Sequence, residues 1–111
     1  MVNLIYIRVS NENQDETQQL KPIIKEFNLI EYKLIYEKQS AFKEEKENKR
    51  EGLKELKKEI ATRKHKRLYV FALDRLFRNR LKQKEFMEYL KVYDVELYSY
   101  SQVLERYLED T

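Results

Sequence analysis

Apolar and polar positions change period along the chain, and the changes outline its elements. Residues 2–9 carry an unbroken apolar centre, Leu4 to Ile7. Such a run fits a strand buried on both faces, as in a parallel sheet. Leu20, Ile23, Ile24 and Phe27 then recur at i, i+3, i+4 and i+7, one stripe of an amphipathic helix. Pro22 falls inside that stripe, which predicts a kink or a late helix start near it. Tyr32–Glu37 reads as a second strand, and Arg50–Thr62 as a second helix with Leu53, Leu56 and Ile60 on one side. "LYVFAL", residues 68–73, is the clearest buried strand. A third helix is marked by Leu81, Phe86, Met87, Leu90 and Tyr93, and "VELYSY", 95–100, is a fourth strand. Val103, Leu104, Tyr107 and Leu108 open a further helix.

Strand–helix alternation at this spacing predicts an α/β domain, a three-layer sandwich around a mostly parallel sheet of four to five strands. In such sheets, ligands sit outside the carboxyl ends of the strands. There is no repeat and no linker, so one domain over residues 1–101 is expected, with 102–111 beginning a C-terminal helix. With one Gly and one Pro in 111 residues, turns must rely on Asn, Asp, Ser and Lys.

Composition removes several classes of function. Cysteine is absent, which excludes disulfide frameworks and Cys-based zinc sites, and the single histidine, His65, removes most Ser-His-Asp schemes. No apolar run approaches the roughly 18 residues a bilayer span needs. The N-terminal apolar stretch is too short for a signal peptide, and a cytoplasmic protein with no membrane partner is expected. The net charge of +3 says little, but its distribution says more. Residues 43–60 mix seven bases with six acids, whereas residues 61–80 hold seven bases against one acid, Asp74. A local excess of this kind suits a polyanion such as nucleic acid; a basic, solvated loop is the alternative.

Polar residues gather where the strands should end. Arg8 and Ser10 close the first strand two residues apart, hence on one side of it, and Gln14 follows. Ser40 comes after the second strand, Arg50 opens the second helix, and Asp74, Arg75 and Arg78 follow the third strand. If residues 74–79 form a helical turn, Arg75 and Arg78 share a face. One hydroxyl ringed by arginines suits a phosphodiester better than an ester or peptide. A guanidinium pairs in a plane with phosphate oxygens and stays charged. It also stabilises charge building on the phosphoryl group. No histidine stands near to activate the serine, so activation falls to the guanidinium field or to a carboxylate. No second and third acid accompany Asp74, which disfavours a two-metal nuclease; no metal and no cofactor are expected.

Each residue also has a plain structural role open to it. Ser10 and Ser40 fit loops and turn caps. Asp74 fits a helix N-cap or an i, i+4 partner of Arg78. Arg50 fits a surface charge on a Lys/Glu-rich helix, and His65, within "RKHKR", fits a solvent-exposed position.

The motifs resemble those of the serine recombinases, the resolvase/invertase family. "YIRVSNENQ" is similar to that family's Arg-x-Ser opening with a glutamine shortly after. "QSAFKEEKENKREGL" resembles its Ser-then-Arg-x-Gly-Leu stretch, and "LDRLFRN" its Asp-Arg-Leu-x-Arg segment. The resemblance covers about residues 4–102. It implies Ser10 as the nucleophile that forms a phosphoserine link to a DNA 5′ end. It implies Arg8, Arg75 and Arg78 as binders of the scissile phosphate, with Arg50 as a further phosphate ligand. Asp74 would move a proton or orient an arginine, and Gln14 and Ser40 would be supporting polar contacts. It further implies DNA as partner, a dimer or tetramer of the full-length protein, and no metal or ATP.

Three positions depart from the pattern: Ala41 and Glu51 stand where glycine and proline are usual, and Phe77 where glycine is frequent. The family's long helix and separate DNA-binding domain are not matched by residues 102–111. Two further readings therefore stand beside the enzyme. One is a shortened, non-catalytic relative that binds DNA or recombinase subunits. The other is a flavodoxin-like ligand-binding or signalling domain, which the fold permits although the acidic cluster of signalling receivers is lacking.

Overall fold

A computed structural model describes residues 2–9, 17–38 and 50–103. Four strands, β1 (Asn3–Val9), β2 (Tyr32–Lys38), β3 (Arg67–Val70) and β4 (Glu96–Ser99), alternate with three helices, α1 (Thr17–Phe27), α2 (Glu51–Ala61) and α3 (Arg80–Val92). The sheet is parallel throughout, in the order β2-β1-β3-β4. This is the expected α/β sandwich, with four strands among the described residues.

Alternation along β1 decides which helix covers which face. Leu4 and Tyr6 pack with Leu53, Leu56 and Ile60 of α2 and with Phe86 and Leu90 of α3. Ile5, Ile7 and Val9 pack on the other side with Ile23 of α1, Leu29 and Tyr69. All five of Leu4, Ile5, Tyr6, Ile7 and Val9 are fully buried, which is why the run reads as apolar without a break. On the α1 side, an aromatic ladder runs out toward β4. Phe27 meets Tyr69 at 4.8 Å between ring centres, and Tyr69 stacks on Tyr98 at 5.2 Å.

Several expectations change. α1 runs from Thr17 to Phe27 through Pro22, so the proline does not delay its start; it removes one backbone donor from the helix. The third strand is shorter than the apolar run: β3 stops at Val70, and Leu73–Arg75 forms a 3₁₀ turn. His65 is buried. Its Nδ1 lies 2.8 Å from the Val2 carbonyl and its Nε2 lies 2.8 Å from Glu59 Oε2. The bases around it, Arg63, Lys64, Lys66 and Arg67, are exposed on the turn and loop that lead into β3 and at its first residue, as the solvated-loop alternative expects. Helix ends use left-handed residues other than glycine, Asn28 (φ 52°), Arg63 (φ 62°) and Asp94 (φ 57°). Asn and Asp enter that region readily; Arg63 does so with its guanidinium held over the Tyr93 ring at 4.9 Å. A helix begins at Tyr100, and the expected continuation over 104–111 lies outside the described residues.

Candidate active site at the carboxyl ends of β1 and β3

Strands β1 and β3 pair directly, with Leu4 opposite Leu68, Ile5 opposite Tyr69 and Tyr6 opposite Val70. The pairing ends there, two residues short of Arg8 on β1 and shortly before the turn that carries Asp74 and Arg75 on the other strand. Adjacent parallel strands thus bring the first and last sequence motifs to one end of the sheet. Ser10, Gln14 and Ser40 lie outside the described residues.

Arg8 faces the same side of the sheet as Tyr6 and stands beside Glu37 of β2. It is buried, and its carbonyl accepts a 2.9 Å hydrogen bond from Gln19 Nε2 of α1. Gln19 is 6% exposed, and its Oε1 is buried with no hydrogen-bond partner. Its contact pins the backbone two residues before Ser10. Gln19 is absent from the sequence-based site, although its position was a usable signal. It lies four residues before Ile23 and eight before Phe27, a polar group on the buried stripe of α1.

The 73–77 segment carries the other charges. Asp74 and Arg78 are exposed and Arg75 is half-buried. The Arg75 guanidinium lies 6.0 Å from the Phe71 ring centre, and its Nε is buried with no hydrogen-bond partner. The 3₁₀ turn closes through Arg75 N to Ala72 O at 3.0 Å, Leu76 N to Leu73 O at 3.0 Å and Phe77 N to Leu73 O at 3.3 Å. Residues 74–79 do not form one helical turn. The chain bends after Leu76, and Asn79 caps α3 by accepting from Leu81 N at 2.8 Å and Lys82 N at 3.3 Å. The N-cap of α3 is therefore Asn79 rather than Asp74, and among the described residues Asp74 forms no ion pair. Arginine guanidiniums in such a setting are able to pair with the oxygens of a phosphodiester.

Arg50 differs from the other arginines. It is 2% exposed, so it is not a surface charge on α2. Its Nε donates to Glu37 Oε1 at 3.1 Å. One terminal nitrogen donates to the Leu76 carbonyl at 2.5 Å, and the other to the Tyr6 hydroxyl at 2.6 Å. A longer contact of 3.4 Å reaches the Arg75 carbonyl, and the Phe77 ring covers the guanidinium at 5.0 Å. The departure from glycine at Phe77 thus supplies a lid on Arg50. Glu37, also buried, accepts from the Tyr6 hydroxyl at 2.6 Å and, through Oε2, from Gly52 N at 2.6 Å. Burial raises the Tyr6 hydroxyl well above the ordinary tyrosine value, so it stays protonated and donates to Glu37. Gly52 is needed for this approach: a Cβ there would stand 2.8 Å from Glu37 Cβ and 2.9 Å from Oε2. The Arg-x-Gly-Leu stretch accordingly fastens α2 to β1 and β2. In this structure, Arg50 gives its hydrogen bonds to protein acceptors beneath the site, where the resemblance implies a phosphate ligand.

An α/β sheet with charged groups at two adjacent strand ends defines the class, and comparison with known proteins names the family. The chain belongs to the resolvase N-terminal domain family, whose model matches residues 3–110. It is similar to the first open reading frame of transposon ISC1904 from Sulfolobus solfataricus P2, at 25% identity with a TM-score of 0.71 over 89% of this chain and 66% of that one. A serine recombinase from Sulfolobus solfataricus is similar at 24% identity, with a TM-score of 0.74 over 89% of this chain and 67% of that one. The N-terminal catalytic domain of TP901-1 integrase shares the fold at 19% identity, with a TM-score of 0.75 over 92% of this chain and 79% of that one. The chain thus spans about two thirds of the length of the two Sulfolobus structures, just under that share for the first. A search of curated protein sequences finds no match. Among the described residues, no helix is long and apolar enough to cross a membrane, and no three His, Asp or Glu side chains group as metal ligands.

Proposed function

We propose that this chain is the catalytic domain of a site-specific DNA serine recombinase, of resolvase, invertase, integrase or transposase type. Ser10 Oγ attacks the scissile phosphorus, the P–O3′ bond breaks, and the 3′ oxygen leaves with a proton. The DNA 5′ end remains esterified to Ser10; attack by another 3′ hydroxyl reverses the step and rejoins the strand. Arg8, Arg75 and Arg78 hold the phosphate and offset charge on its oxygens. Asp74 orients an arginine or passes a proton, and Gln14 and Ser40 support the substrate. The full-length protein works in the cytoplasm on DNA as a dimer or tetramer and needs no cofactor.

The observation that carries this reading is the direct pairing of β1 with β3 in a chain of the resolvase N-terminal domain family. It puts the strand that leads to Ser10 beside the strand that leads to Asp74, Arg75 and Arg78. A nicked suicide DNA substrate tests it. The wild-type protein traps a covalent adduct, and Ser10→Ala traps none; equal adduct from both defeats the proposal. Arg75→Ala lowers the cleavage rate about 10²–10³-fold, the usual effect of losing one preorganised donor.

A further inference from the structure

We infer that Arg50 is a positioning residue: through the Tyr6–Glu37–Arg50 network it holds the turn that presents Arg75, instead of touching phosphate itself. This rests on the function proposed above for what the turn does, but the holding itself is a property of the free protein. Apolar packing anchors the flank of the turn, with Leu76 and Phe77 in the core and Gln83 Nε2 donating to the Phe77 carbonyl, while Arg50 holds the backbone carbonyls of residues 75 and 76. Leu73–Arg75 is a single 3₁₀ turn closed by three local backbone hydrogen bonds, and such turns are weak on their own. Arg50 reaches it from beneath with donors to the carbonyls of two successive residues, Leu76 at 2.5 Å and Arg75 at 3.4 Å. The planar fork that makes this double contact is itself oriented on its other edges by Glu37 and by the Tyr6 hydroxyl. Tyr6 lies in β1, Glu37 in β2, and both are buried among sheet and helix residues. The fork therefore transmits the rigidity of the two strands to a turn that lies outside the sheet. A lysine has no such fork and cannot serve the three directions at once.

Amide hydrogen exchange on the 111-residue chain tests the holding without DNA. In Tyr6→Phe, which keeps the ring and removes one partner of both Arg50 and Glu37, amides of residues 75–77 exchange at least tenfold faster. Those of residues 68–70 in β3 keep their wild-type rates. Arg50→Lys gives the same local pattern, more strongly. Unchanged exchange at 75–77 in Tyr6→Phe, or a rise shared equally by 68–70, overturns the inference. The same variants are then compared in cleavage of the suicide substrate. A positioning role lowers the rate in Tyr6→Phe as well as in Arg50→Lys, at least tenfold in each, at unchanged DNA affinity. A direct phosphate ligand lowers rate and affinity in Arg50→Lys alone, and that result also overturns it. If wild-type protein forms no adduct at all, the proposed function fails while the exchange result still decides the role of Arg50.

Discussion

The two ends of the sheet handle charge in opposite ways. At the amino end, Glu59 of α2 takes Lys33 Nζ at 2.5 Å and His65 Nε2 at 2.8 Å, while His65 reaches back to the Val2 carbonyl. Nearby cations lie against rings, Arg63 over Tyr93 and Lys57 over Tyr89. At the carboxyl end, the buried acid Glu37 is taken up by Arg50, Tyr6 and Gly52, while the turn after β3 carries one half-buried and one exposed arginine. Arg78 is exposed, and the Arg75 Nε has no hydrogen-bond partner. The lesson is that counting bases along residues 61–80 mixes two environments. Before β3 the bases are exposed, with Arg63 held over the Tyr93 ring, whereas after it Arg75 is half-buried beside Phe71 on the turn that follows the strand.

Substitutions at each end separate these environments, and the largest effect is expected in the buried network. Glu37→Ala leaves Arg50 as an unpaired buried charge and costs about 3–5 kcal/mol of stability in denaturant unfolding. That is a large share of the roughly 5–15 kcal/mol that holds a domain together. Gly52→Ala forces the carboxylate away from the α2 amino terminus and costs about 1–3 kcal/mol by overpacking, with the loss confined to the carboxyl end in hydrogen exchange. Glu59→Gln, at the more exposed rim, costs no more than about 1 kcal/mol at pH 7. It also changes the pH profile. Lys33 first, and His65 second, hold the Glu59 carboxyl below its ordinary value. A carboxyl lowered in the folded state contributes stability above its unfolded value and loses it as pH falls through the folded one. Wild-type stability therefore drops across that acid range, and Glu59→Gln shows a shallower drop there.

Much of this was legible beforehand. The alternation of period along the chain predicts every described strand and helix, because buried parallel strands and one-sided helices leave different apolar patterns. Arg8, Asp74, Arg75 and Arg78 stand out because strand ends are where an α/β sheet exposes polar groups. Arg50 was hidden by its setting: a base opening a Lys/Glu-rich helix looks solvated until Glu37 is seen to face inward. The clue was present, since Glu37 follows Ile35 by two and so shares its buried face, and the chain's only glycine lies two residues after Arg50. The burial of His65 depends on Glu59, six residues away around a helix end, and on Val2 across the sheet. No local pattern carries a contact of that kind.

The contrast between the two ends is tested most directly by the salt dependence of DNA binding. Each phosphate contact contributes about 0.9 to the slope of log affinity against log salt for duplex DNA. Arg75→Gln and Arg78→Gln should each reduce the wild-type slope by about that amount, whereas Arg63→Gln and Lys57→Gln should leave it unchanged. A slope that falls for the amino-end pair and holds for Arg75 and Arg78 would contradict the account.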